Sequence, residues 1–137
     1  MASERPAPMT TPRNPWLLAA AISGLVAVIA GGYGWHGLPA EDGARAVFNT
    51  GVQYQMWHTL ALLAVAWLDD SRPRHTAAGK WARWAGVCFV AGILVFSGSM
   101  YFYGFFGGVP LPGVTPAGGV ALMAGWVCLG MAAIRDA

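Results

Sequence analysis

Between Trp84 and Ile134 the chain carries no acidic or basic side chain. One crossing of a ~30 Å hydrocarbon core takes about 20 apolar residues at ~1.5 Å per residue, so this run is too long for a single span. It has to turn back on itself. Pro110, Pro112 and Pro116, set among Gly107, Gly108 and Gly113, supply the break, because proline lacks the N–H that a helix interior needs and both residue types punctuate helices. The expectation is one helix near residues 84–106 and another near 117–134.

The rest of the chain reads the same way. With 137 residues, 56% of them hydrophobic and 10% charged, it lies outside the range of soluble domains and reads as an all-α membrane protein with one folded unit. Residues 1–15 hold Pro6, Pro8, Pro12 and Pro15 and are expected to form a disordered cytoplasmic tail, leaving 16–137 as the transmembrane domain. A first apolar run over 16–33 carries Ala19, Ser23, Ala27 and Gly31 at every fourth position, a stripe of small side chains suited to close helix packing. Val28, Ile29 and Ala30 resemble a signal-peptidase site, but the run is longer than the ~7–15 residues of a signal-peptide core, so the helix is expected to stay uncleaved. Residues 34–45 form a short polar connection, and 69–83, the most charged part of the chain, are expected to be a water-exposed loop.

Basic residues set the orientation. Arg5, Arg13, Arg72, Arg74, Lys80, Arg83 and Arg135 fall on one side of a four-helix arrangement and Arg45 alone on the other. The positive-inside rule then gives a four transmembrane helix bundle of two helical hairpins with both termini cytoplasmic. Trp16, Trp67, Trp81 and Trp84 would mark the inner interface, and Tyr33, Trp35, Tyr103 and Phe106 the outer one. The basic residues end apolar runs and form no groove, so the pI of about 8.8 is topology information and no nucleic-acid partner is expected. Tyr33-Gly34-Trp35-His36-Gly37 and Tyr103-Gly104-Phe105-Phe106-Gly107 echo each other where outward-going helices end.

The second helix, within the uncharged run 46–68, is the exception in chemistry. It bears Asn49, Thr50, Gln53, Tyr54, Gln55, His58 and Thr59, and each uncompensated polar group in hydrocarbon costs on the order of kcal/mol. A polar intramembrane cluster of Asn49, Gln53, Tyr54 and His58 with Ser97, Ser99 and Tyr101 is therefore expected. Within it Gln53 matches the depth of Ser99, and neutral His58 that of Ser97 and Ser23, so Gln53 is expected to bond towards Ser99, and His58 to one of those serines or a backbone carbonyl. His36 and His58 are the residues to consider for haem or metal, but one sits at the outer helix end and the other ~18 Å into the membrane, so no shared site and no cofactor is expected. HExxH, CxxC, a phosphate loop and an intramembrane carboxylate base are all absent, which points away from an enzyme. Cys88 and Cys128 are expected at similar depth as unbonded thiols. Thr115 is expected to cap the fourth helix with Pro116 in its first turn.

Several of these segments together resemble a known family. They are His36-Gly37-Leu38, the stretch 50–58 (TGVQYQMWH), 96–101 (FSGSMY), 115–119 (TPAGG) and Gly125-Trp126. In that order and spacing they resemble the small bacterial membrane proteins grouped as domain of unknown function 423, whose eukaryotic relatives are called transmembrane protein 256. The resemblance covers Gly31 to Trp126, with Trp35 and Phe48 departing from the usual residues. It implies a four-helix membrane architecture and no catalytic residue.

The reading that follows is a multi-pass protein of the bacterial inner membrane that serves as a structural or assembly partner of a membrane complex, in contact with the lipid bilayer and with a second copy or another membrane protein. The alternative is a binder or carrier of a small hydrophobic molecule, a quinone or lipid, with a mouth at the aromatic outer ends and the 107–116 turn. A reporter enzyme that folds only in the periplasm, fused after Ala137, is expected to be inactive; strong activity would overturn the inward C-terminus.

Overall fold

The computed structural model describes residues 13–41 and 43–135, all of whose regular structure is helical. Helices α1 (Pro15–His36), α2 (Gly43–Ser71), α3 (Ala77–Gly92), α4 (Gly98–Phe106) and α5 (Val114–Ile134) follow in order. A π-helical turn, Ile93–Ser97, joins α3 to α4, so Ala77–Phe106 is one rod of 30 residues. Three stretches are long and apolar enough to cross a membrane: Pro15–His36, Ala77–Phe106 and Val114–Ile134. Helix α2, at 29 residues, is long enough but is diluted by its own polar side chains.

Each end of α1 is tied to α2. Asn14 is the N-cap, its Oδ1 accepting from the N–H of Trp16 at 3.0 Å and of Leu17 at 3.1 Å, while its Nδ2 donates to the Ala66 carbonyl at 2.9 Å. Pro15 takes the first helical position, where a missing N–H costs nothing. The expected tail otherwise falls on residues 1–12, outside the described residues. At the far end Arg45 donates from Nε to the Gly34 carbonyl at 3.0 Å and from Nη2 to that of Trp35, and its guanidinium lies 4.8 Å over the Trp35 ring. The lone basic residue of this connection thus satisfies carbonyls that the helix end leaves open.

Two boundaries differ from expectation. The charged stretch 69–83 is not one loop, because α2 runs on to Ser71 and α3 begins at Ala77, leaving a linker of residues 72–76. Thr76 caps α3 by accepting from the Gly79 N–H at 3.1 Å, and Asp69 is folded into the protein on α2, where its Oδ2 pairs with Arg74 at 3.1 Å. Hydrocarbon thickness sets where charge begins; it does not set where a helix ends. Helix α5 likewise starts at Val114, because Gly113, at φ 81°, makes the left-handed turn into it; Thr115 is therefore inside the helix and is not its cap. Gly107, at φ 72°, closes α4 in the same backbone region, which side chains disfavour.

Neighbouring helices run antiparallel as two pairs, α1 on α2 and the α3–α4 rod on α5, with α2 packed against both. On α1 the buried line is Ala20, Ala27 and Gly34, a seven-residue spacing, flanked by partly buried Ala19, Ser23 and Gly31. The expected small-residue stripe thus borders the buried line, and only its Ala27 belongs to both. The other pair meets through glycine. A Cβ on Gly118 would sit 2.4 Å from the Phe96 nitrogen, and one on Gly125 2.5 Å from the Phe89 ring. Phe89, Leu62, Val65 and Ala85 meet here as the fully buried centre. Cys88 and Cys128, one on each helix of this pair, are free thiols.

Gly118→Val should lower stability by ~1–3 kcal/mol, since its new atoms meet backbone that cannot yield. Gly130→Ala has open space around it and should be neutral, or stabilising by up to ~1 kcal/mol from helix propensity. Thermal unfolding in mild detergent checks both.

Candidate functional site

Helix α2 turns Phe48, Gly51, Gln55, His58, Thr59 and Leu62 inward. At ~100° per residue this face excludes Gln53, which is exposed and makes no side-chain hydrogen bond among the described residues. The expected Gln53 to Ser99 contact does not form. Gln55, 4% exposed, takes the inward place instead.

Around Gln55 three helices meet in one directed chain of hydrogen bonds. Tyr101 on α4 donates its hydroxyl to Gln55 Oε1. Gln55 Nε2 donates to the Ser23 carbonyl at 2.9 Å and to Ser23 Oγ at 3.3 Å. Thr59 Oγ1 gives its proton to the Gln55 carbonyl at 2.7 Å, so in the 2.6 Å contact between Ser23 Oγ and Thr59 Oγ1 the serine is the donor. Ser23, expected as a small packing residue and as one candidate partner of His58, bonds instead to Gln55 and Thr59 and so ties α1 to α2.

His58, 5% exposed, anchors a second link. Its Nδ1 lies 2.6 Å from the Tyr54 carbonyl, and its Nε2 accepts from the indole N–H of Trp126 on α5 at 3.1 Å. An indole N–H only donates, so Nε2 is bare and the ring is the neutral tautomer with its proton on Nδ1. The expected backbone-carbonyl partner is found, on the residue one turn earlier; Ser97 and Ser23 do not bond to His58. Phe89 and Trp126 flank the ring with centroids at 5.7 and 6.0 Å. Tyr54 lies between Phe96 at 4.7 Å and Trp57 at 5.0 Å.

The third link is outward of these. Ser99 Oγ donates to the Phe96 carbonyl at 2.8 Å, so the Thr115 hydroxyl donates to it across 2.7 Å. This is the work of Thr115 in place of capping. Pro116 beside it is exposed, as is His36 at the end of α1. Asn49 is partly buried, its Oδ1 against Gly34. The Ser97 hydroxyl is buried without a partner in the π-turn, where the Ile93 carbonyl, one turn back, already accepts the Gly98 N–H.

Two features were not anticipated. Asp69 has a side chain only 1% exposed, with Oδ2 paired to Arg74 and, among the described residues, no partner for Oδ1. An apolar cleft of about 250 Å³ opens between α1 and the rod, walled by Ile22, Val26, Ile93 and Leu94, with Ser23 and Gln55 also lining it. Gln55, Thr59 and Trp126 had a signal in the sequence: Gln55 and Thr59 share the face of Gly51 and Leu62, and Trp126 lies deep in an apolar run although its N–H needs a partner.

Comparison with known proteins gives a consistent picture. The family model described as "Protein of unknown function (DUF423)" matches residues 30–119. The UPF0382 membrane protein YwdK of Bacillus subtilis is 38% identical over 122 residues, 88% of this chain and 96% of the relative. A UPF0382 membrane protein of Haemophilus influenzae is 36% identical over 126 residues, 90% and 97% of the two chains. The UPF0382 inner membrane protein YgdD of Escherichia coli is 37% identical over 121 residues, 87% and 88% of the two. No solved structure matches the chain.

Trp126→Phe keeps the ring and removes the donor to His58. It should cost about 1 kcal/mol in detergent, the scale of intramembrane hydrogen bonds. His58→Leu should cost at least as much. The double variant should lose less than the sum, because both changes remove one bond; strict additivity in thermal unfolding would deny the link.

Proposed function

The chain belongs to the DUF423 family of membrane proteins of unknown function, and from that premise we propose that it is a four-span inner-membrane protein, both termini inward, acting without catalysis as a structural or assembly subunit of a membrane complex. At ~1.5 Å per residue α2 is long enough to cross the hydrocarbon core, and it buries the polar side chains of Gln55, His58 and Thr59, as suits a fourth span.

The observation that carries the subunit role is the outward face of α2. Gln53 and Trp57 stand one turn apart there; Gln53 is exposed, and Trp57 is 54% exposed. Gln53 lies ~11 Å below the outer surface, where a bare carboxamide in hydrocarbon is unfavourable by ~1–3 kcal/mol. A second protein surface offering a donor or acceptor at that depth removes the penalty, and Trp57 supplies apolar area beside it. The hydrocarbon of the bilayer offers no such partner.

The carrier reading has one observation behind it, the cleft between α1 and the rod, with a glutamine amide and a serine hydroxyl among apolar walls. It lies at the middle of the span, away from the outer turn where a mouth was expected. A quinone or lipid recovered with the purified protein by mass spectrometry, and displaced by Ser23→Leu, would favour it.

A photo-reactive amino acid at Gln53 should yield a protein adduct of one defined mass in intact membranes, and the same residue at Val28, 65% exposed on α1, should yield lipid adducts. An adduct of twice the chain's mass indicates a second copy, and any other single mass a different subunit. Lipid adducts alone at both positions would remove the support for the subunit role.

A further inference from the structure

The end of the bundle that the basic residues mark as inner has a pocket of about 340 Å³, lined by Trp16, Lys80, Arg83, Trp84 and Val87. We propose that this pocket binds the anionic headgroup and upper acyl chain of a membrane phospholipid. The proposal is independent of the partner suggested for α2.

The pocket is built by two helices. Trp16, in the first turn of α1, presses its ring on Gly86 of α3 so closely that a Cβ there would lie 2.6 Å from it. This contact closes one wall. Lys80, Arg83, Trp84 and Val87 form the other, at positions i, i+3, i+4 and i+7 of one α3 face. Along ~10 Å of helix the lining changes from two cations, through indole, to an aliphatic side chain at the membrane side. That order matches an amphiphile lying along the helix with its phosphate towards water.

Charge and exposed apolar surface favour the same ligand. Among the described residues the ion pair at this end is Arg74 with Asp69, so Lys80 and Arg83 hold no carboxylate. A phospholipid brings a phosphate for the cations and a chain to cover Val87 and Trp84, which are 47% and 61% exposed. Basic pockets between spans on the cytoplasmic side are suited to anionic headgroups, with tryptophan at the headgroup level. A soluble anion would satisfy the cations and leave the apolar part of the wall bare.

The test is native mass spectrometry of the full chain in mild detergent, titrated with phosphatidylglycerol or with phosphatidylcholine. The wild type should retain phosphatidylglycerol at least tenfold better than phosphatidylcholine. Lys80→Gln with Arg83→Gln should lose that preference, whereas Arg72→Gln with Arg135→Gln, which removes the same charge elsewhere on the inner side, should keep it. Both pairs change exposed or partly exposed side chains, and unchanged thermal unfolding verifies that each is folded. Equal retention in all forms, equal loss in both variants, or no preference for the anionic lipid overturns the proposal. Binding of inorganic phosphate alone, with the same dependence on Lys80 and Arg83, assigns the pocket to a soluble anion and overturns it as well.

Discussion

Hydrocarbon offers no hydrogen-bond partner, so a polar side chain within a span must find one in the protein. Helix α2, the proposed fourth span, carries the most polar side chains, and the fold is arranged around satisfying them. Gln55 receives Tyr101 from α4 and gives to Ser23 on α1; His58 receives Trp126 from α5. Every other helical stretch therefore reaches α2 through at least one side-chain hydrogen bond. Apolar contact between helices has no hydrophobic driving force in lipid, so such bonds and close packing select the neighbours.

The two sides of α2 solve this differently. The rod and α5 come together through glycine, with Gly118 against Phe96 and Gly125 against Phe89, and leave little space between them. Helix α1 lies mainly on α2, held at its ends by Asn14 and Arg45 and at its middle by Ser23. The cleft and the inner pocket both occur where α1 approaches α3 without continuous packing. The π-turn Ile93–Ser97 borders the cleft, with Ile93 and Leu94 in its wall and the unpartnered Ser97 hydroxyl behind. Both proposed uses of this side of the molecule depend on that looseness.

The glutamine that bonds to other helices is Gln55, where Gln53 was expected. A period of ~100° per residue separates Gln53 from Gln55 by about 200°, so it tells that they face apart. It cannot tell which one faces in. That is decided by the neighbours, since the Gly51 side of α2 is where Met100 and Tyr101 come close enough to bury a carboxamide. Thr115 shows the same limit. Its place before Pro116 favoured a cap, but Gly113 turns the chain earlier, and the hydroxyl is left free for Ser99. The loop expected over 69–83 failed for another reason. Charge reports where water is, and helices α2 and α3 continue into water when Thr76 and the Asp69–Arg74 pair support their ends.

What the sequence by itself determined is the helical, lipid-embedded character of the chain, the places where it must turn, and its family. These follow from local properties, namely uncharged length, proline and glycine position, and the order of short motifs. The tertiary structure alone decided which face of α2 is inside, that Ser23, Thr59 and Trp126 complete its hydrogen bonds, that Asp69 is buried, and that Trp16 closes a pocket with Lys80 and Arg83. Each of these depends on the rotation and approach of helices distant in sequence, which are set by how side chains from several helices fit together.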